Sequence, residues 1–123
     1  MAKFKVAIQK PAAITPLTPG VYDLEMEALG PIDAEIVEIP AKTDAEFIAG
    51  AKDADAIFAR GRPMTKEIID ALENCKVISL GSVGADSVDI AAATARGIPV
   101  TNVPDTFIEE VADHTMMMIL ASF

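Results

Sequence analysis

Residues at a few places in this sequence have the types and spacing to do chemistry. Gly81-Ser82-Val83-Gly84 lies between an apolar run and a helical stretch. Glycines in such a turn permit positive φ and close backbone approach, so successive amides can turn inward as a nest for a carboxylate or phosphate. A tight strand-to-helix turn without a ligand would have the same spacing. Arg60 and Arg62 flank Gly61, and a guanidinium presents paired donors to a carboxylate. Arg60 is the stronger candidate, because it is closer to the preceding apolar run and its direction is better fixed. A solvated or ion-paired surface arginine is the alternative. Asp113-His114 suggests a catalytic dyad, but neighbours on a helix point about 100° apart, and no nucleophile can be placed beside them. His114 reads instead as a packing or interface residue. One histidine and one cysteine, Cys75, leave only carboxylates as further ligands, so no metal site is expected. Neither GxGxxG nor GxxxxGK[ST] occurs.

The elements that position these residues follow from periodicity and punctuation. Lys3 to Gln9 alternates Phe4, Val6 and Ile8 with Lys3, Lys5 and Ala7, which predicts a strand. Pro11, Pro16, Pro19 and Gly20 predict a loop, and Val21 to Leu29 a helix closed by Gly30-Pro31. Ala34 to Ile39 carries Glu35 and Glu38, which suit a strand at the sheet edge. Thr43 and Glu46 have capping-box spacing before the next helix. Ala56 to Ala59 and Val77 to Leu80 read as short buried strands. Between them Thr65 caps a helix with Ile68, Ile69 and Leu72 on one face. An alanine-rich helix over Asp89 to Arg96 stops at Gly97, and Ile98 to Val103 forms a fifth strand. Thr106 and Glu109 predict a capping box for a last helix running to Phe123, with no C-cap residue to finish it. Strands alternating with helices imply an α/β fold: a flavodoxin-like, doubly wound, parallel five-stranded sheet with right-handed crossovers. Ligands of such sheets sit beyond the carboxyl ends of the strands. That edge collects Arg60 to Arg62, Gly81 to Gly84, and Pro104 to Thr106.

Composition narrows the class. The chain has 123 residues, 51% hydrophobic and 24% charged, with a formal net charge of −9. This length suits one domain, or a domain with a short piece of another, and the apolar content excludes disorder. The acidic balance argues against unaided nucleic-acid binding. A lone cysteine allows no internal disulfide and fits a reducing compartment. The longest apolar run, Met116 to Phe123, is too short to span a bilayer, and no signal-peptide h-region opens the chain. The expectation is a soluble, cytoplasmic domain with no membrane partner. Met116, Met117, Met118, Ile119 and Leu120 cover every face of the last helix. That pattern predicts core packing, or self-association where the helix is left uncovered.

From about Arg60 to Phe123 the sequence resembles the N-terminal part of the D-isomer-specific 2-hydroxyacid dehydrogenases. The likeness rests on Ser82-Val83-Gly84-Ala85-Asp86-Ser87-Val88-Asp89, on Ala95-Arg96-Gly97-Ile98-Pro99-Val100, and on Asn102-Val103-Pro104 leading to Glu110-Val111-Ala112-Asp113-His114-Thr115. The resemblance implies a two-domain enzyme that moves hydride between NAD(P)H and a small 2-oxo acid. Residues 1–104 would be an incomplete flavodoxin-like substrate domain, and 105–123 an interdomain helix leading to a Rossmann domain. It implies that the amides of Val83 and Gly84, with Arg60, bind the acid, and that Val83 and Thr115 contact the cofactor. The family's catalytic arginine, glutamate and histidine lie downstream of the nucleotide-binding fingerprint, and His114 is not that histidine. The chain alone is therefore expected to be inactive and to hold no NAD or NADP by itself. Its helix Glu109 to Phe123 is expected to drive a homodimer or a helix-exchanged oligomer. Ser82 stands where many members have glycine. Phe107 stands where formate- and phosphoglycerate-type members often have asparagine. The alternative function is a non-catalytic module, either a small-acid binder or a corepressor-like dimerisation domain. A receiver domain is disfavoured, because Gln9-Lys10 replaces its acidic cluster after the first strand.

Overall fold

Alternation along the first strand already sends neighbouring residues to opposite faces of the sheet. In the computed structural model, which describes residues 4–10 and 22–123, β1 spans Phe4–Gln9. It pairs in parallel with β2 (Ala34–Ile39) on one side and β3 (Ala56–Phe58) on the other. Then come β4 (Val77–Ser79) and β5 (Val100–Thr101), each parallel to its neighbour. The strand order is β2-β1-β3-β4-β5, the flavodoxin order, with β2 at the edge as its glutamates require. The last three strands are shorter than the runs 56–59, 77–80 and 98–103 suggest.

Ala7, Ile57 and Ile78 point to one face of the sheet and form the main core with Phe47, Ile68, Ile69, Leu72, Ala92 and Ala93. Those residues come from α2 (Asp44–Ala51), α3 (Lys66–Ala71) with the residue that ends it, and α4 (Ile90–Ala95). Val6, Ala34 and Ala56 point to the opposite face, against Leu29 at the end of α1 (Asp23–Leu29). The expected caps of α2 and α3 form. Thr43 accepts from the Glu46 amide while Glu46 accepts from the Thr43 amide, and Thr65 accepts from the Ile68 amide. α4 ends at Gly97, whose φ of +66° is the left-handed conformation that glycine adopts without a Cβ penalty.

Arg96 explains why an arginine precedes that glycine. Its guanidinium donates to the carbonyls of Ile69 (3.0 Å), Asp70 (2.7 Å) and Leu72 (2.5 Å), closing the open carboxyl end of α3 and fastening α4 to it.

Several expectations are corrected. α1 ends at Leu29, as Gly30-Pro31 predicts, but the chain then continues as a 3-10 turn over Gly30–Ile32, since proline is tolerated in a first turn. The Pro11-to-Gly20 loop and Val21 lie outside the described residues. No Thr106/Glu109 capping box forms. α5 spans Ile108–Ala121, its N-cap residue is Phe107, and no side chain caps it. Asp105 (φ 53°) and Phe107 (φ 70°) are both left-handed, whereas a capping Thr106 needs the extended backbone that precedes α2 and α3. The Thr106 hydroxyl instead donates to the Pro104 carbonyl at 3.3 Å. At the other end, the Ser122 amide reaches the carbonyls of Met118 and Ile119, and its hydroxyl that of Ile119. The apolar residues of α5 do not join the core either: the helix has no buried residue, and Met116 to Leu120 are all exposed. No helix among the described residues is long and apolar enough to cross a membrane.

Candidate functional site

The turn after β3 separates two arginines into different roles. The Ala59 amide donates to the Ser79 carbonyl (2.8 Å), which keeps the chain on the sheet as far as Arg60. Gly61 then takes a φ of +79°, where any side chain would be strained. Arg62, beyond it, is absorbed by the fold. It donates to Gln9 Oε1 (2.8 Å) and to the Ala41 carbonyl (3.0 Å), pairs with Asp44, and lies 5.6 Å from the centre of the Phe47 ring. Arg60 is exposed, and its guanidinium has no hydrogen bond or ion pair with any described residue. Of the two arginines, Arg60 is therefore the one whose guanidinium is not engaged by the fold.

The loop after β4 has its carbonyls tied and its amides untied. The Ser82 carbonyl accepts from the Val103 amide (3.0 Å), the Val83 carbonyl from Asn102 Nδ2 (2.8 Å), and the Gly84 carbonyl from the Ser82 hydroxyl (2.9 Å). Farther on, the Met64 amide donates to Ser87 (2.7 Å) and the Asp89 amide to Met64 (2.9 Å), a single parallel bridge centred on buried Val88. Asp89 then caps α4 by accepting from the Ala92 amide. None of the amides of residues 81 to 84 donates to a described residue, and all four residues are exposed. Undonated amides are therefore present on this loop, but not through positive φ. Gly81 and Gly84 both lie outside the left-handed region, and a Cβ on Gly81 would meet the Phe58 ring at an ordinary 3.4 Å. The loop is held by where its carbonyls are bound, rather than by left-handed glycines.

The two loops and α1 enclose a cleft of about 530 Å³ lined by Glu25, Phe58–Gly61, Gly81, Ser82 and Ser87. It lies beyond the carboxyl ends of β3 and β4, beside the switch in strand order between β1 and β3, where doubly wound sheets hold ligands. Val83, 45% exposed, and Gly84 continue the loop past this lining. Thr115 is not among the lining residues; it is exposed on α5, and its hydroxyl donates to the Val111 carbonyl at 2.7 Å. His114 and Asp113 are likewise exposed on α5.

Sequence reasoning missed Glu25, Tyr22 and Asn102. The crossover brings α1 to the cleft, and no local pattern marks Glu25 for it. Tyr22, next to α1, donates from Oη to Glu38 Oε1 at 2.8 Å. Burial, and then that hydrogen bond, push its pKa up to about 12, against a smaller opposing pull from Arg60. The phenol therefore stays a protonated donor, and Glu38 is occupied. Asn102 lies in a segment already singled out, but its hold on Val83 is visible only in three dimensions.

Val83 and Thr115, the expected cofactor contacts, are both exposed, and the 123 residues contain no GxGxxG to cradle the phosphates of a dinucleotide. Among the described residues no cluster of histidine, cysteine and carboxylates suits a metal ion.

Comparison with known proteins gives consistent matches. The family described as D-isomer specific 2-hydroxyacid dehydrogenase, catalytic domain, matches residues 14–118. The chain is 41% identical over 81 residues to D-3-phosphoglycerate dehydrogenase of Methanocaldococcus jannaschii, covering 65% of this chain and 16% of that protein. It is 42% identical over 77 residues to glyoxylate reductase of Thermofilum pendens, covering 62% of this chain and 23% of that protein. Its fold matches that of the NAD+-bound 3-phosphoglycerate dehydrogenase of Entamoeba histolytica with a TM-score of 0.73 and 28% identity, over 96% of this chain and 38% of that one. The chain thus spans well under half the length of these relatives.

Proposed function

The chain belongs to the D-isomer specific 2-hydroxyacid dehydrogenase family, and from that premise we propose that it supplies the acid-binding side of an NAD(P)-dependent oxidoreductase. The reaction interconverts a small D-2-hydroxy acid and its 2-oxo acid by hydride transfer. The observation that carries this reading is the run of undonated amides at Ser82, Val83 and Gly84, on a loop whose carbonyls are engaged, at the cleft that Arg60 lines. The substrate carboxylate accepts from the amides of Val83 and Gly84. The Arg60 guanidinium adds a charge-assisted bond from across the cleft. Because the loop is held by Asn102 and Val103 before the acid arrives, little ordering is needed on binding. Val83 and Thr115 are the residues that would contact a nicotinamide, and that group would supply or receive the hydride.

In this reading residues 1–104 form the substrate-binding unit and 105–123 the interdomain helix, in keeping with the absence of any buried residue in α5. The exposed apolar side chains of α5 favour a homodimer or helix-exchanged pair. Light scattering of a clean monomer at high concentration would count against that. The cytoplasm is the proposed location, consistent with the unpaired thiol of Cys75. The 123 residues alone carry out no turnover, since they lack the dinucleotide fingerprint and their one histidine lies off the cleft.

Amide NMR of the 123-residue chain titrated with hydroxypyruvate tests the binding reading. The Ser82, Val83 and Gly84 resonances should move, and Arg60→Met should weaken the response. Shifts confined to other surfaces would overturn it. NADH oxidation by the chain alone would overturn the proposed division of labour.

A further inference from the structure

Glu25 places a carboxylate in the same cleft lining as the Arg60 guanidinium. Its carboxylate lies on α1, on the wall contributed by the β1–β2 crossover, while Arg60 follows β3 and the amides of Ser82 to Gly84 follow β4. Glu25 is half-buried and has no hydrogen bond or ion pair with a described residue, so its charge is not consumed locally. Glu38, on the neighbouring β2, is held by the Tyr22 hydroxyl. The cleft lining thus has one cation and one anion, plus the donors of the loop. One carboxylate satisfies the amides and Arg60 together. A second anionic group finds no further cation in the lining and meets Glu25.

We infer that Glu25 is a specificity-determining residue that restricts this site to monoanionic 2-oxo and 2-hydroxy acids and rejects those bearing a second anionic group such as a phosphate ester. This rests on the acid-binding reading above. Like-charge repulsion in a partly enclosed cleft is worth about tenfold in relative affinity at low ionic strength, and it fades as salt screens it. The other lining side chains are Phe58, Ala59, Ser82 and Ser87, which carry no charge. They cannot offset Glu25.

Hydroxypyruvate and its phosphate monoester are a matched pair for the test, since they share the 2-oxo acid end. Both are titrated into the 123-residue chain and into Glu25→Gln, at low salt, with the Ser82–Gly84 amide resonances as the readout. The wild-type chain should bind hydroxypyruvate about tenfold more tightly than the ester. In Glu25→Gln, which preserves side-chain size, the preference should fall to about twofold or less, with hydroxypyruvate affinity little changed. Equal affinities in the wild type, or a preference that persists in the variant as simple crowding would make it, overturn the inference. If hydroxypyruvate moves none of these resonances, the acid-binding reading fails first and the selectivity falls with it.

Discussion

Replacing Arg60 and Arg62 one at a time separates an arginine that binds from one that builds. Arg62→Met keeps much of the aliphatic stem over Phe47 and removes the guanidinium. The loss comprises bonds to Gln9 and the Ala41 carbonyl, the ion pair with Asp44, and a ring contact at 5.6 Å. The Arg62 side chain is only 12% exposed, so its donors are largely shielded; Asp44 is 37% exposed, so the ion pair itself is partly screened. Counting about 1 kcal/mol for each protein-bound donor group and about 0.5 kcal/mol each for the screened pair and the ring contact gives about 3 kcal/mol. For a chain of this size that is a fall in Tm of roughly 12 °C. Arg60→Met removes no described bond and should change stability by less than about 0.5 kcal/mol. Binding should show the reverse order. Arg60→Met should weaken hydroxypyruvate about tenfold or more, while folded Arg62→Met should bind within about twofold of wild type. Thermal and urea unfolding by circular dichroism, with the amide titration run well below each Tm, measure both effects. Equal destabilisation by the two substitutions, or a loss below about 1 kcal/mol for Arg62→Met, would refute the division of roles.

Gly50→Ala should destabilise the fold by about 1 kcal/mol in urea unfolding, although alanine is the better helix former by a similar amount. A Cβ there would sit 2.9 Å from Cγ2 of Ile39, a buried β-branched side chain with little rotamer freedom, and Ile39→Ala should reduce the penalty in a double-mutant cycle. Tyr22 is the only tyrosine, so tyrosinate absorbance reports it alone and should show a midpoint near 12. Glu38→Gln should lower that midpoint. Because the folded state holds the phenol proton above the ordinary value of 10.0, this group's contribution to stability is intact below pH 10 and is lost as pH rises from there towards 12. Asp55 behaves oppositely. The Lys76 ammonium (2.6 Å), and then the Lys5 amide (3.0 Å), hold its carboxyl below the usual value of 3.8. Its stabilisation is present above that value and disappears as pH falls through the depressed one, so Asp55→Asn should flatten the acid limb of a stability–pH curve.

How far the sequence discloses this molecule depends on whether a signal acts within a few residues or across the sheet. Strand and helix order, the edge position of β2, the caps at Thr43 and Thr65, and the stop at Gly97 are local facts, and all of them hold in three dimensions. The placement of the candidate site was legible on similar grounds. Parallel topology carries every strand's carboxyl end to one edge, so Arg60 and Gly81–Gly84 had to meet there. What the sequence could not disclose is non-local. The end of Arg62 is decided by Gln9, Ala41 and Asp44, and the presence of Glu25 by the path of a crossover. Local signals also fail where backbone torsion contradicts them. Thr106 and Glu109 have the same spacing as Thr43 and Glu46, and Thr43 has the extended backbone, at φ −119° and ψ 162°, that aims its hydroxyl at the N3 amide. Between left-handed Asp105 and Phe107 the same pair cannot close. An aromatic residue at a left-handed N-cap is itself a local conflict, in a position that asparagine, enriched in that conformation, would occupy at less cost. The apolar residues of α5 likewise predict burial, but composition cannot say in what. Within these residues they are buried in nothing, so their pattern describes a surface that this sheet does not cover.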